Sequence, residues 1–197
     1  MTLYAVAKVV VRTVATMLWR VRVRGEENVP AEGPLIIACN HVSLLDPPIL
    51  GAFCPRKLRY IAKRELFRIF LFGSLIRALG AYPVDREGSA AGAIKRSIDI
   101  LRSGETVGIF PEGGRNPRGE AQARAGVALL AALAKCPVLP AAIVGSERAA
   151  RLGRVTVLFG HPIRLDDTRR PTRQELEAFT ETIMREIRVL SGNVVHA

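Results

Sequence analysis

At 197 residues the chain is sized for one compact domain with a real core, and an apolar content of 49% excludes a disordered chain while being high for a freely soluble protein. Against 18 acidic residues stand 29 lysines and arginines, a formal net charge of +11, which attracts polyanions such as nucleic acid, an anionic bilayer or phosphorylated substrates and carriers. The charge does not choose among these; high apolar content beside it leans toward membrane.

The first twenty-four residues hold five basic side chains and no acidic one. At about 100° per residue, Lys8, Arg12, Thr16 and Arg20 drift by only about 40° at each step of four, so they form one polar stripe. Leu3, Val6, Ala7, Val10, Val11, Val14, Met17 and Leu18 fall on the opposite face, with Trp19 near the boundary. The pattern predicts an interfacial helix over 1–24, followed by a domain over 25–197; the alternative is a surface helix packed on its own domain. Lys8, Arg12 and Arg20 interrupt the apolar run before it reaches the roughly 18 residues needed to span a bilayer. No basic stretch precedes that run and no small-residue cleavage site follows it, so no signal peptide is expected. The expected location is peripheral or monotopic, on the cytoplasmic face of the cell membrane.

Beyond Glu26-Glu27, short apolar runs alternate with helical periodicity. Strands are predicted at 35–39, 58–62, 106–110, 138–144 and 155–159, with a shorter one at 82–84. Helices are predicted at 47–53, 65–79, 91–102, 125–134 and 172–190, the last with Leu176, Phe179, Ile183, Ile187 and Leu190 at helical spacing. Strands alternating with helices imply an α/β fold, a mostly parallel central sheet flanked by helices. Cys39, Cys54 and Cys136 are odd in number and lack C-x-x-C spacing, so neither a disulfide framework nor a zinc site is expected. His161 and His196 also lack metal-ligand spacing.

The segment Asn40-His41-Val42-Ser43-Leu44-Leu45-Asp46 follows the first of these strands directly. Strand ends in α/β sheets are where active-site loops gather. A neutral imidazole at His41 could take a proton from an attacking alcohol, while the Asp46 carboxylate fixes its tautomer and steadies the cation that forms. Against this stands a structural reading: Ser43-x-x-Asp46 resembles a helix capping box. Pro47 disfavours helical geometry at the residue before it, which predicts Asp46 as the N-cap, from where it could still contact His41. Phe110-Pro111-Glu112-Gly113-Gly114-Arg115-Asn116 also sits just past a strand. Its paired glycines allow backbone amides to approach an anion, and the Arg115 guanidinium suits phosphate. Glu112 is then an orienting group for Arg115 or for a substrate hydroxyl. The competing reading is a turn with a solvated Glu–Arg pair. Gly80-Ala81-Tyr82-Pro83-Val84-Asp85-Arg86 delivers another arginine after a short strand, or else a surface Asp–Arg pair.

Taken together, these segments resemble the glycerolipid acyltransferases typified by lysophosphatidic acid acyltransferase. That family carries NH-x-S-x-x-D, matched by Asn40, His41, Ser43 and Asp46, and a glycine leading to V-D-R, matched by Gly80, Val84, Asp85 and Arg86. Its F-P-E-G-T-R-S block is matched at Phe110, Pro111, Glu112, Gly113 and Arg115, and its proline-containing strand by Val138 to Gly145. Four blocks in order over about residues 25–166 make a specific resemblance. Gly114 replaces the usual threonine and Asn116 the common serine, which removes two hydroxyl donors near the supposed phosphate site. The resemblance implies His41 and Asp46 as the catalytic pair, and Arg86, Glu112, Gly113 and Arg115 as the phosphate-binding set. It implies acyl-CoA or acyl carrier protein as donor, lysophosphatidic acid or a related lysolipid as acceptor, a membrane surface as partner, and no metal or redox cofactor.

Three other readings compete. Cys39 and His41 would share a face of a continuing strand, so a covalent acyl-cysteine route is conceivable; a buried, inert Cys39 is the simpler expectation. A serine hydrolase is disfavoured because no G-x-S-x-G occurs, and no phosphate-binding P-loop, dinucleotide fingerprint or H-E-x-x-H motif occurs either. A non-catalytic basic module is disfavoured because aromatics are only 6% and no nucleic-acid motif is present, so nucleic acid is not an expected partner.

Overall fold

The computed structural model describes residues 3–84, 90–116, 126–166 and 169–192. Its helices are α1 (Leu3–Trp19), α2 (Asp46–Phe53), α3 (Phe72–Ala78), α4 (Ala90–Arg102), α5 (Gly126–Ala134) and α6 (Arg173–Gly192). Its strands are β1 (Arg22–Arg24), β2 (Leu35–Cys39), β3 (Leu58–Lys63), β4 (Ala81–Val84), β5 (Thr106–Ile109), β6 (Val138–Val144) and β7 (Thr156–Phe159). The seven strands form one sheet in the order β1-β7-β6-β2-β5-β3-β4. All pairings are parallel except β6 with β7.

The strand β2 occupies the centre and is buried along its whole length, as its unbroken Leu-Ile-Ile-Ala-Cys run requires when both faces are covered. Leu35, Ile37 and Cys39 point into a core shared with Ala15, Ile49, Phe53 and Tyr60. Ile36 and Ala38 point into the other, with Leu101, Val127, Leu130, Phe179 and Ile183. The sheet is thus the middle of three layers, with α1, α2 and α3 on one side and α4, α5 and α6 on the other. The loops after β2, β3, β5 and β6 all leave from one end of the sheet. His41 continues the odd-numbered parity of β2, which puts it on the side of α1 and α2.

Two departures from the sequence pattern matter. The N-terminal helix does not run through residue 24: it stops at Trp19, Arg20 takes φ 45°, and Arg22-Val23-Arg24 becomes the edge strand β1. The alternation R-V-R-V-R from Arg20 has a two-residue period, and pairing with Thr156–Leu158 stabilises it as strand. The domain's sheet therefore begins inside the segment expected to belong to the membrane helix. The second departure is in 65–79, where a single turn of 3₁₀ helix over Arg64–Arg68 and then α3 replace one continuous helix. Between them Leu71 takes φ 63°, and the chain doubles back so closely that a Cβ on Gly73 would stand 2.3 Å from the Phe67 carbonyl oxygen. Only glycine permits that approach.

The helix α1 packs through a mixed face that sets Val11 and Trp19 against the core beside two alanines and Lys8. Ala7 and Ala15 are buried, although Ala7 falls on the aliphatic face in the helical projection. The Lys8 ammonium donates to Cys54 O at 2.6 Å and caps the end of α2. The Arg12 guanidinium lies 5.3 Å from the Phe53 ring centroid. The outward face is aliphatic: Leu3, Val6, Val9, Val10, Val14, Met17 and Leu18 are all exposed, Met17 by 77%. Among the described residues no helix is long and apolar enough to cross a membrane.

Candidate active site

The site forms where β2 ends. Asn40 locks this end to its neighbour: its Nδ2 donates to Ile143 O at 2.9 Å, and its Oδ1 accepts from Ile143 N at 2.8 Å. The amide side chain thereby extends the β2–β6 pairing past the last strand residue and fixes where His41 emerges.

His41 and Asp46 are brought together. Nδ1 of the imidazole lies 3.1 Å from Asp46 Oδ2; the histidine side chain is 14% exposed and the aspartate fully buried. Asp46 is the first residue of α2, one position further into the helix than an N-cap. From there Oδ2 also accepts from Val42 N and Ser43 N, each at 2.7 Å. The bond to Ser43 N is one half of the capping box read from the sequence, so the structural and catalytic readings of Asp46 are compatible. A single oxygen takes three donors, while Oδ1 is buried with no hydrogen-bond partner. The Phe110 ring packs on the imidazole, centroids 4.5 Å apart. With Nδ1 committed to Asp46, Nε2 is the nitrogen left to exchange a proton with a substrate.

The glycine-rich loop after β5 grips the main chain of His41 from both sides. Glu112 Oε2 accepts from His41 N at 3.0 Å, and Asn116 N donates to His41 O at 2.6 Å. Glu112, counted from the sequence with the phosphate-binding set, thus gives one carboxylate oxygen to the backbone of the histidine and also bonds the Asn116 side chain. Its half-buried position pushes its carboxyl upward, and the bond from His41 N works in the opposite direction. Gly113 takes φ 70° and its amide donates to Phe110 O at 3.0 Å, closing the turn, so that N–H is committed within the loop. Arg115 is exposed and forms no ion pair among the described residues. Arg86 lies outside the described residues. Gly80, ahead of β4, has φ 92° and would place a Cβ 2.5 Å from Leu58 O, a demand only glycine meets.

Asn116 was missed as a positioning residue. The sequence marks it only as a serine replaced, yet it is buried and its main chain holds His41. Its clue was position, directly after the loop arginine, but no spacing rule reveals a long-range backbone bond.

The Acyltransferase family model matches residues 20–144, which spans the site and most of the sheet. The chain belongs to the acyltransferase family. It is 34% identical over 179 residues to the 1-acyl-sn-glycerol-3-phosphate acyltransferase of Bacillus subtilis (strain 168), covering 88% of this chain and 89% of that protein. It is 32% identical to the enzyme of the same name from Streptococcus pneumoniae (strain ATCC BAA-255 / R6), covering 79% of this chain and 60% of that one. The crystal structure of the 1-acyl-sn-glycerophosphate (LPA) acyltransferase PlsC from Thermotoga maritima superposes with a TM-score of 0.72 at 27% identity, over 95% of this chain and 79% of that one. The fold expected from the sequence, a mostly parallel sheet flanked by helices, is the fold of this acyltransferase.

Within the acyltransferase, Cys39 is fully buried, its Sγ 3.5 Å from Asn40 Oδ1, and burial raises its thiol well above the ordinary range. A nucleophilic cysteine needs access and a thiolate, and Cys39 has neither. Cys39→Ala is expected to retain turnover within about threefold of the parent, since only packing changes; loss of turnover would establish the acyl-cysteine route.

Replacing Glu112 by alanine removes the acceptor for His41 N and is expected to cost about 1–3 kcal/mol of stability, the scale of a buried amide left unpaired. Glu112→Gln keeps an acceptor oxygen and should retain most of that stability. Because its folded-state pKa is raised, Glu112 holds its proton more tightly in the folded chain. The parent therefore loses stability as pH rises from the ordinary glutamate value of 4.5 through the raised folded value. Melting temperatures across this interval should show that slope in the parent and a smaller one in Glu112→Gln.

Proposed function

We propose that this acyltransferase moves a fatty acyl chain from acyl-CoA or acyl carrier protein onto the free hydroxyl of 1-acylglycerol-3-phosphate, giving phosphatidic acid for phospholipid biosynthesis. The observation that carries the mechanism is the 3.1 Å approach of His41 Nδ1 to a buried Asp46 at the end of the central strand. The names of the B. subtilis and S. pneumoniae relatives and of the T. maritima structure support the acceptor.

In this reading the acceptor hydroxyl oxygen attacks the thioester carbonyl as His41 Nε2 takes its proton. Asp46 holds Nδ1–H and steadies the imidazolium. The tetrahedral intermediate then collapses, the C–S bond breaks, and the proton on Nε2 passes to the leaving thiolate. Only one proton moves out and back, so the route requires neither a metal nor a redox cofactor. Arg115, exposed in the loop that holds the main chain of His41, is assigned to the acceptor phosphate, and Arg86 joins it on the family resemblance. Glu112 and Gly113 contribute by shaping the loop that holds His41. The aliphatic face of α1 and the net charge of +11 support a peripheral or monotopic seat on the cytoplasmic face of the cell membrane.

The test is thiol release by purified protein, with acyl-CoA and acyl carrier protein donors each offered against a panel of lysolipids. Release with lysophosphatidic acid, and phosphatidic acid as the product, is expected. Release only with a lysolipid of another head group would move the acceptor assignment and leave the acyltransferase chemistry in place.

A further inference from the structure

We propose that the turn Ile69-Phe70-Leu71 is a second membrane-insertion element, entering an anionic bilayer alongside the aliphatic face of α1 and holding the catalytic end of the sheet against the lipid. The proposal rests on the lipid acceptor and the membrane seat proposed above. Ile69, Phe70 and Leu71 are 51%, 88% and 71% exposed, while Leu66, Phe67 and Phe72 on either side pack against the core. The outward residues are therefore not surplus core. They are displayed by a turn that a non-glycine residue at φ 63° maintains against its backbone preference.

The carbonyls of this turn are bonded within the chain. Ile69 O accepts from Gly73 N at 2.8 Å, Phe70 O from Phe72 N at 2.7 Å and Leu71 O from Leu75 N at 2.9 Å. All three carbonyls at the tip are satisfied internally, which lowers the cost of bringing this backbone to the lipid interface.

Position and charge choose the occupant. The chain reaches this turn from the end of β3 that lies with the His41 loop, and α3 packs beside α1 on the same side of the sheet as His41. The exposed Leu44 lies in the catalytic loop itself. Arg68 and Arg77, both exposed, flank the turn, and Arg77 is stacked 5.4 Å from the Phe67 ring centroid. Apolar tips ringed by guanidinium groups match the acyl region and head groups of an anionic leaflet.

The three native cysteines are buried, so Phe70→Cys can be labelled selectively with an environment-sensitive fluorophore. On vesicles of phosphatidylglycerol and phosphatidylcholine its emission should shift to the blue and become shielded from an aqueous quencher. The same label at Ser103→Cys, an exposed position at the opposite end of the sheet, should stay in water. Phe70→Ser should weaken vesicle partitioning at least about tenfold, the scale of withdrawing one large apolar side chain from lipid, with an unchanged melting temperature. A Phe70 label that stays open to quencher on vesicle-bound protein, or Phe70→Ser partitioning equal to the parent, would overturn the proposal. Neither readout involves acyl transfer, so a protein that inserts this turn but transfers no acyl chain would sink the proposed reaction and leave the insertion standing.

Discussion

His41→Ala is expected to lower kcat by at least ~100-fold, the scale of removing a general base, while the chain stays folded. The side chain is the exposed-end member of the pair, and what it touches beyond Asp46 is the Phe110 ring. The clamps that Glu112 and Asn116 apply act on the main chain of His41, which alanine retains. The check is thiol release under saturating donor and acceptor, together with a melting curve. A variant that is folded and retains more than a tenth of parental turnover would rule out His41 as the base. The effect should fall on kcat, because the proton leaves the hydroxyl in the transition state and not in the bound ground state.

The second large effect is expected at Asp46, where two substitutions separate its two jobs. Asp46→Asn preserves shape and, with its amide oxygen in the Oδ2 position, an acceptor for Val42 N, Ser43 N and Nδ1, but it removes the charge that steadies the imidazolium. Turnover should fall roughly 10²- to 10⁴-fold with little change in stability. Asp46→Ala leaves both amides buried without the acceptor they share at 2.7 Å. That should add a destabilisation of about 2–5 kcal/mol, as two unpaired buried donors imply, visible in chemical denaturation. Equal loss of activity and stability in both variants would mean that Asp46 is structural and not a partner in proton transfer.

The pairing of His41 and Asp46 was legible because it is local. The residues lie five apart across one strand-to-helix turn, and so short a loop allows their side chains to converge. Much else in the site depends on contacts across the sequence. Asn40 reaches Ile143, and Glu112 and Asn116 reach the main chain of His41 across about seventy residues. No periodicity or spacing encodes a backbone bond between two loops, so from the sequence alone Glu112 reads as an orienting group for Arg115 or a substrate hydroxyl.

By itself the sequence determined the α/β class, the buried central strand, nearly every helix and strand, and the catalytic-pair candidate, because strand burial, helical periodicity and short-range turns are written in neighbouring residues. Only the tertiary structure decided that Arg22–Arg24 joins the sheet, that the apolar run at 65–79 breaks at Leu71, and that α1 turns Ala7, Lys8, Val11, Ala15 and Trp19 inward. The physical reason is common to all three. A local pattern states which residues are apolar, but whether an apolar face meets protein or faces outward depends on what the rest of the chain brings alongside it.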